Sequence, residues 1–196
     1  MKNIIFIFAL LIFTILSCKS TPKTSTSEEI ISAEEIIIED DDIINANLYL
    51  PENTSIRDTS RGKIFETNPK IIFKFTETNM PATADVSFSQ VIDLLNNNSN
   101  ISIILEAHTS NKGQAYPANY NLSLLRAMNG KNYLINNGID KNRIIENPLG
   151  EALPEYPNQY ELRRYEFVII ENEEDLKKYN DYISTLDVKA ESTYKK

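Results

Sequence analysis

The chain holds a single cysteine and a single histidine, and it lacks any surplus of positive charge. With Cys18 alone, no intramolecular disulfide is possible. His108 has no second histidine and no nearby cysteine, which makes a poor metal site, so neither a metal nor a cofactor is expected. The formal net charge of −8 leaves nothing to offset phosphate repulsion. That argues against a nucleic-acid partner and against a polybasic contact with anionic lipid. A membrane span is missing as well: the apolar run from Ile4 to Leu16 is too short to cross a bilayer comfortably.

What that run does fit is the core of a signal peptide, since it follows the short basic start Met1-Lys2-Asn3. It ends at Ile15-Leu16-Ser17-Cys18, which resembles the bacterial lipobox, a small residue before a cysteine that becomes acylated. The resemblance implies a signal peptide over residues 1–17 and a mature chain beginning at a lipidated Cys18, carrying palmitate or similar acyl chains. Each buried methylene adds roughly 0.8 kcal/mol to anchoring, so several chains hold such a protein firmly. Lys19 stands where an inner-membrane retention aspartate would sit, which favours the outer membrane, with the remainder of the chain in the periplasm.

Residues 18–62 read as the acylated cysteine, a tether and an acidic Ile-rich segment. Lys19 to Ser27 is Ser, Thr, Lys and Pro, which cannot bury a core. Glu28 to Asp42 mixes Ile pairs with acidic runs, and its pattern does not choose between helix and strand. Ile43 to Leu50 reads as extended and Pro51 to Lys63 as loop. As coil, the first fifty or so mature residues would span roughly 35–40 Å.

Residues 63–171 form the expected domain. Lys70 to Phe75 alternates as a half-buried strand should. Asp85 to Asn96 places Val86, Phe88, Val91, Ile92 and Leu95 at helical spacing, and the Asn97-Asn98-Ser99-Asn100 run stops it. Ile101 to Ala107 is an almost wholly apolar second strand, expected to be central. Asn119 to Asn137 is the longest helical pattern. Gly138 follows it as a natural C′ residue, and Gly130 inside it suggests close packing. Arg143 to Asn147 and Arg164 to Glu171 supply two further strands. The order β-α-β-α-β-β, with helices on one face of a mixed sheet, is an α+β sandwich. Residues 172–196 then read as an added amphipathic helix, Glu173 to Leu186, and a polar tail.

Several spaced motifs run through this domain: Glu106-Ala107-His108-Thr109-Ser110-Asn111-Lys112-Gly113, Asn119-x-x-Leu122-Ser123-x-x-Arg126-Ala127, Gly138-Ile139 with Arg143, Gly150-Glu151-x-x-Pro154, and Arg163-Arg164-x-Glu166-Phe167. Together they resemble the OmpA C-terminal-like family, which includes the peptidoglycan-associated lipoproteins. The family pattern is roughly G-H-T-D-x-x-G, Y-N-x-x-L-S-x-x-R-A, G-I-x-x-x-R, G-E-x-x-P and N-R-R-V-E-F. The resemblance implies the α+β fold just described and non-covalent binding of a peptidoglycan stem peptide through its diaminopimelate residue. In the family an arginine pairs with the diaminopimelate carboxylate, and aspartates with neighbouring amides take its ammonium.

Carried over residue by residue, the ligand arginine matches Arg126, whose planar fork suits a carboxylate. Asn119 belongs to the same motif, and Arg163 matches the first arginine of N-R-R, near the pocket. Both acid positions have changed. Ser110 stands at the aspartate of H-T-D, and Thr76 stands at the second acid of the F-D-F-D that the family often carries on its first strand. Glu77 lies one residue too far along. A charge-assisted hydrogen bond contributes about 1.5–3 kcal/mol, so losing two would weaken binding by roughly a hundredfold or more. The loop from Gly113 to Asn119 is one residue longer than usual and holds Tyr116-Pro117, which could place an aromatic platform over the rim. His108-Thr109-Ser110 looks superficially catalytic, yet adjacent strand residues face opposite sides, so no enzyme is expected. The expectation is an outer-membrane lipoprotein that tethers the envelope to the cell wall, with altered diaminopimelate recognition. The competing reading keeps the fold but makes it a module that docks an envelope protein partner.

Overall fold

The computed structural model describes residues 48–189; the expected signal peptide, Cys18, the tether and the acidic Ile-rich segment lie outside the described residues. The elements run β1 (Ser55–Thr59), β2 (Gly62–Glu66), α1 (Ala84–Asn97), β3 (Ser102–His108), α2 (Tyr120–Asn136), β4 (Ile144–Gly150), β5 (Tyr165–Ile170) and α3 (Glu173–Ile183). The five strands make one sheet in the order β1-β2-β5-β3-β4. All neighbours are antiparallel except β3 and β4, so the sheet is mixed and the class is α+β.

The sheet's two faces are built from alternating residues of the same strands. Phe65, Ile103, Leu105, Ala107, Tyr165, Phe167 and Ile169 pack in the main core with the apolar faces of α1 and α2. Phe88 of α1 sits at its centre, with ring centroids 4.6 Å from Tyr133 and 5.9 Å from both Tyr165 and Phe167. Burying one such ring contributes about 1.5–3 kcal/mol. Ile64, Ile104, Val168 and Ile170 face the other way and meet Leu176, Tyr179 and Ile183 of α3. The expected pair of helices thus shares one face, and α3 covers the opposite one. Asn172 caps α3 by accepting from the Asp175 amide at 3.0 Å, and Glu173, Glu174 and Asp175 fill its first turn, where negative charge is favoured.

Two expectations change. Pro51 to Lys63 is not a loop: Ser55–Thr59 pairs with Gly62–Glu66 as a hairpin joined by Ser60 and Arg61. Lys70 to Phe75 is not a strand of the sheet, and only Ile72 bridges Arg164. The reason is occupancy, since β2 already pairs with β5 from Phe167 to Ile169. The later segment therefore meets only the approach to β5 and its first residue, through Phe73 N–H to the Arg163 carbonyl and Tyr165 N–H to the Ile71 carbonyl. Its alternation reports burial, because Ile71 and Phe73 are both in the core.

The motif residues outside the site have structural work. Gly138 adopts φ +91° just past α2, where the Ile139 amide reaches back to the Leu134 carbonyl. A Cβ at Gly130 would lie 2.7 Å from Leu105 Cδ1, so α2 packs directly on β3 there. Arg143 donates to the carbonyls of Leu95, Asn98 and Ile101, closing the C-terminal end of α1.

Candidate functional site

A cavity of about 290 Å³ opens at the end of the sheet where β3 finishes and β5 begins. It is bounded by the Phe75–Thr76 turn, the Thr109–Gln114 loop, the start of α2 and Arg163. Four of the five residues expected from sequence line it together: Thr76, Ser110, Asn119 and Arg163. Arg126 is not among the lining residues. It is fully buried, and its guanidinium donates to the carbonyls of Glu77 at 2.8 Å, His108 at 2.9 Å and Lys74 at 3.2 Å. It also stacks 4.3 Å over the Phe73 ring. Burial, with some repulsion from Arg163, lowers its pKa to about 10, so it remains charged at neutral pH.

The N-x-x-L-S-x-x-R motif acquires a physical meaning here. Asn119, Ser123 and Arg126 follow one another along the same side of α2, at the i, i+4, i+7 spacing of a single helix face. Asn119 Nδ2 donates to the carbonyls of Ser110 and Lys112 and to Glu151 Oε2 at 2.6 Å. The Gly150 amide donates to Ser123 Oγ at 3.0 Å. Arg126 holds the 74–77 turn and the end of β3. Each side chain ties down backbone of a loop around the cavity, and the Gly150-Glu151 motif closes the same set of bonds.

The lining is cationic and neutral. Lys112 and Arg163 are its charged members, and no carboxylate lines it. Arg163 Nε donates to the Phe73 carbonyl at 2.9 Å and Nη1 to the Gln159 carbonyl, while Nη2 makes no hydrogen bond among the described residues. Thr109 is nearly fully buried, and its Oγ1 has no partner among the described residues. Thr76 occupies the third position of a turn closed from the Glu77 amide to the Lys74 carbonyl, with φ +61°. That conformation suits Gly or Asn and strains a β-branched residue. Tyr116 does not reach the cavity: its ring rests 5.7 Å from that of Tyr120. Glu77 contributes its carbonyl to Arg126, and its side chain does not line the cavity.

On the opposite face of the sheet lies a buried charge network that sequence reasoning missed. Glu106 and Glu166 stand directly opposite each other in the β3–β5 register, an arrangement that repels unless neutralised. Arg61, from the hairpin turn, bonds Glu106 at 3.0 Å, Glu166 at 2.6 Å and Glu155 at 2.5 Å. Arg164 and Arg57 also reach Glu166, and Tyr179 of α3 donates to Glu106 at 2.9 Å. Burial alone would raise the Glu166 carboxyl, but His108, Arg164 and Arg61 outweigh it and hold it at about 2. Burial and Arg164 lower the pKa of His108, so its ring is neutral at pH 7. Glu106, His108 and Glu166 offer ligand atoms within 4.8 Å of one another. These carboxylates already receive two buried guanidinium groups, Arg61 and Arg164, so the donor set suits arginine and not a divalent ion. The signal for Arg61 was present in sequence: Ser55–Thr59 and Gly62–Glu66 flank a two-residue connection, the spacing of a hairpin.

Residues 72–166 match the model of the OmpA family. Among solved structures, a periplasmic domain of MotB from Helicobacter pylori (residues 78–256) matches at TM-score 0.53 and 15% identity, covering 69% of this chain and 95% of that one. A second form of that domain (residues 97–256) matches at 0.52 and 16%, covering 66% and 97%. The OmpA-like domain of FopA1 from Francisella tularensis subsp. tularensis SCHU S4 matches at 0.47 and 12%, covering 65% and 91%. At such identities the likeness is one of fold. No curated protein matches the chain in sequence.

Proposed function

From the premise that residues 72–166 form an OmpA family domain, we propose that this chain binds peptidoglycan non-covalently through the cavity beside Arg163 and tethers the envelope to the cell wall. The chain is a binding protein and not an enzyme. The observation that carries the reading is the bolted cavity itself, with Asn119, Ser123 and Arg126 fixing its walls. In this reading Arg163 Nη2 meets a stem-peptide carboxylate, and Ser110 and Thr76 offer hydroxyls to its amide groups. Arg126 and Asn119 act as positioning residues. The anchor is an acylated Cys18 in the outer membrane, with the domain in the periplasm. Recognition of diaminopimelate is altered because both family acids are replaced by hydroxyl residues.

Co-sedimentation of the full chain, kept soluble in detergent, with wall sacculi from its own organism tests the proposal. The control is Ala118→Trp, an exposed lining position where a large ring fills the mouth without entering the core. Pelleting by the parent and loss in the control are expected. Failure of the parent to pellet would overturn the tether and leave the docking of an envelope protein as the function.

A further inference from the structure

The charges around the cavity point to a particular form of wall peptide, and this inference rests on the wall-binding reading above. We infer that the cavity selects stem peptides whose side-chain amine is acylated, as it is in a cross-link, over peptides whose diamino acid carries a free ammonium. Lys112 and Arg163 line the cavity and no carboxylate does. An ammonium placed there meets two cations, and its acceptors are neutral ones, the hydroxyls of Thr76 and Ser110 and the side-chain amides of Gln114 and Asn119. Coulomb repulsion in a partly desolvated site acts directly against it. Neither Glu77 nor Glu151 supplies the missing anion from the cavity wall: neither lines it, and Glu151 sits behind Asn119, whose Nδ2 donates to its Oε2.

An acylated amine changes each of these contacts. It carries no charge, so the repulsion disappears. It presents an amide N–H and a carbonyl oxygen, and hydroxyl groups can both accept and donate. Thr76 is exposed in the cavity wall, and its Oγ1, whose proton goes to the Phe75 carbonyl at 2.7 Å, keeps its lone pairs for such an amide N–H. The peptide carboxylates then meet Arg163 and Lys112 without competition from a neighbouring ammonium. The replacement of acids at Ser110 and Thr76 thus changes which state of the wall is bound, free strands or cross-linked ones.

The test is calorimetric titration of the full chain in detergent with two synthetic stem tripeptides, identical except that the side-chain amine of the diamino acid is free in one and acetylated in the other. The acetylated peptide is expected to bind at least about tenfold more tightly at pH 7, the size of one like-charge contact. Thr76→Asp should reverse that order, because a carboxylate then lines the cavity and Asp tolerates φ +61° better than Thr. Ser110→Asp, at the other family acid position, should do the same. Equal or tighter binding of the free amine by the parent would overturn the inference while leaving wall binding intact. Binding of neither peptide, with sacculi also unbound, would remove the wall-binding reading and this inference with it.

Discussion

Replacing Arg61 with methionine isolates the strongest electrostatic demand in the molecule. Glu106 is fully buried and Glu166 nearly so, and they oppose each other across β3 and β5. Arg61 bonds Glu106 at 3.0 Å through both Nε and Nη2, and Glu166 at 2.6 Å through Nη2. Methionine keeps most of the stem's packing volume and removes every one of these donors. Glu106 is then left with Tyr179 at 2.9 Å and His108 at 3.2 Å. Removing one partner of a buried pair typically costs about 3–5 kcal/mol, because the other charge stays buried and uncompensated. With a urea m-value of about 2 kcal/mol per molar, the unfolding midpoint should fall by about 1.5–2.5 M. Far-ultraviolet circular dichroism with tyrosine fluorescence reads this directly, since the chain has no tryptophan. Adding Glu106→Gln to the Arg61→Met chain should recover much of the loss, because the carboxylate that lacked a partner becomes neutral. A midpoint shift below about 0.5 M, or strict additivity of the two substitutions, would refute the argument.

The same network sets the response to acid. Glu166 is held at about 2 against about 4.3 for a free glutamate, so the unfolded chain takes up its proton first and stability falls as pH drops from about 4.5 towards 2. His108, whose pKa burial lowers, adds a loss with the same sign that begins below about 6.5; urea midpoints that rise on acidification would contradict both. Gly130→Ala should destabilise by about 1–3 kcal/mol despite alanine's better helix propensity, because the new methyl meets Leu105 Cδ1 at 2.7 Å and Tyr165 Cζ at 3.1 Å. A thermal midpoint at or above the parent's would count against that close packing. Thr76→Gly relieves a β-branched residue at φ +61° and should raise stability by about 1 kcal/mol, measured by urea unfolding; a decrease would show that the turn is unstrained.

Sequence revealed the elements whose side chains follow one period without interruption. α1 and α2 carry helical spacing, β3 is an apolar run bounded by turns, and the Asn119–Arg126 motif fixes where α2 begins relative to the cavity. Thr76, Ser110, Asn119 and Arg163 met in one cavity because the motif spacing already encoded the loops that hold them. The hairpin was hidden because its charged residues, the half-buried Arg57 and Glu66 and the exposed Asp58 and Lys63, resemble a solvated loop when read singly. Lys70 to Phe75 misled for the opposite reason: Ile71 and Phe73 are buried at a strand period, but the neighbouring position along β5 belongs to β2. Periodicity reports which side chains enter the core, and it is silent on which backbone takes the ladder bonds. The charge network was legible only in part: Arg164 lies two residues from Glu166, on the same strand face, whereas the pairing of Glu106 and Glu166 with Arg61 spans too much of the chain for anything local to name it.

The two buried regions are not independent, and β3 is the reason. Glu106 and His108 project into the charge network, while the His108 carbonyl accepts from Arg126, which fixes the cavity's floor. The His108 amide in turn donates to the carbonyl of Arg164, whose own guanidinium grips Glu166. Next to it, Arg163 faces the cavity. The end of β3 and the start of β5 therefore carry cavity residues on one side and network residues on the other, separated by a single peptide. Residues 72–166, the stretch matching the family, contain both glutamates and the whole cavity. Arg61 and Tyr179, which neutralise and cover Glu106, come from the hairpin before that stretch and the helix after it. The flanking elements are thus part of the physics of the site: they hold in place the strand ends from which the cavity is built.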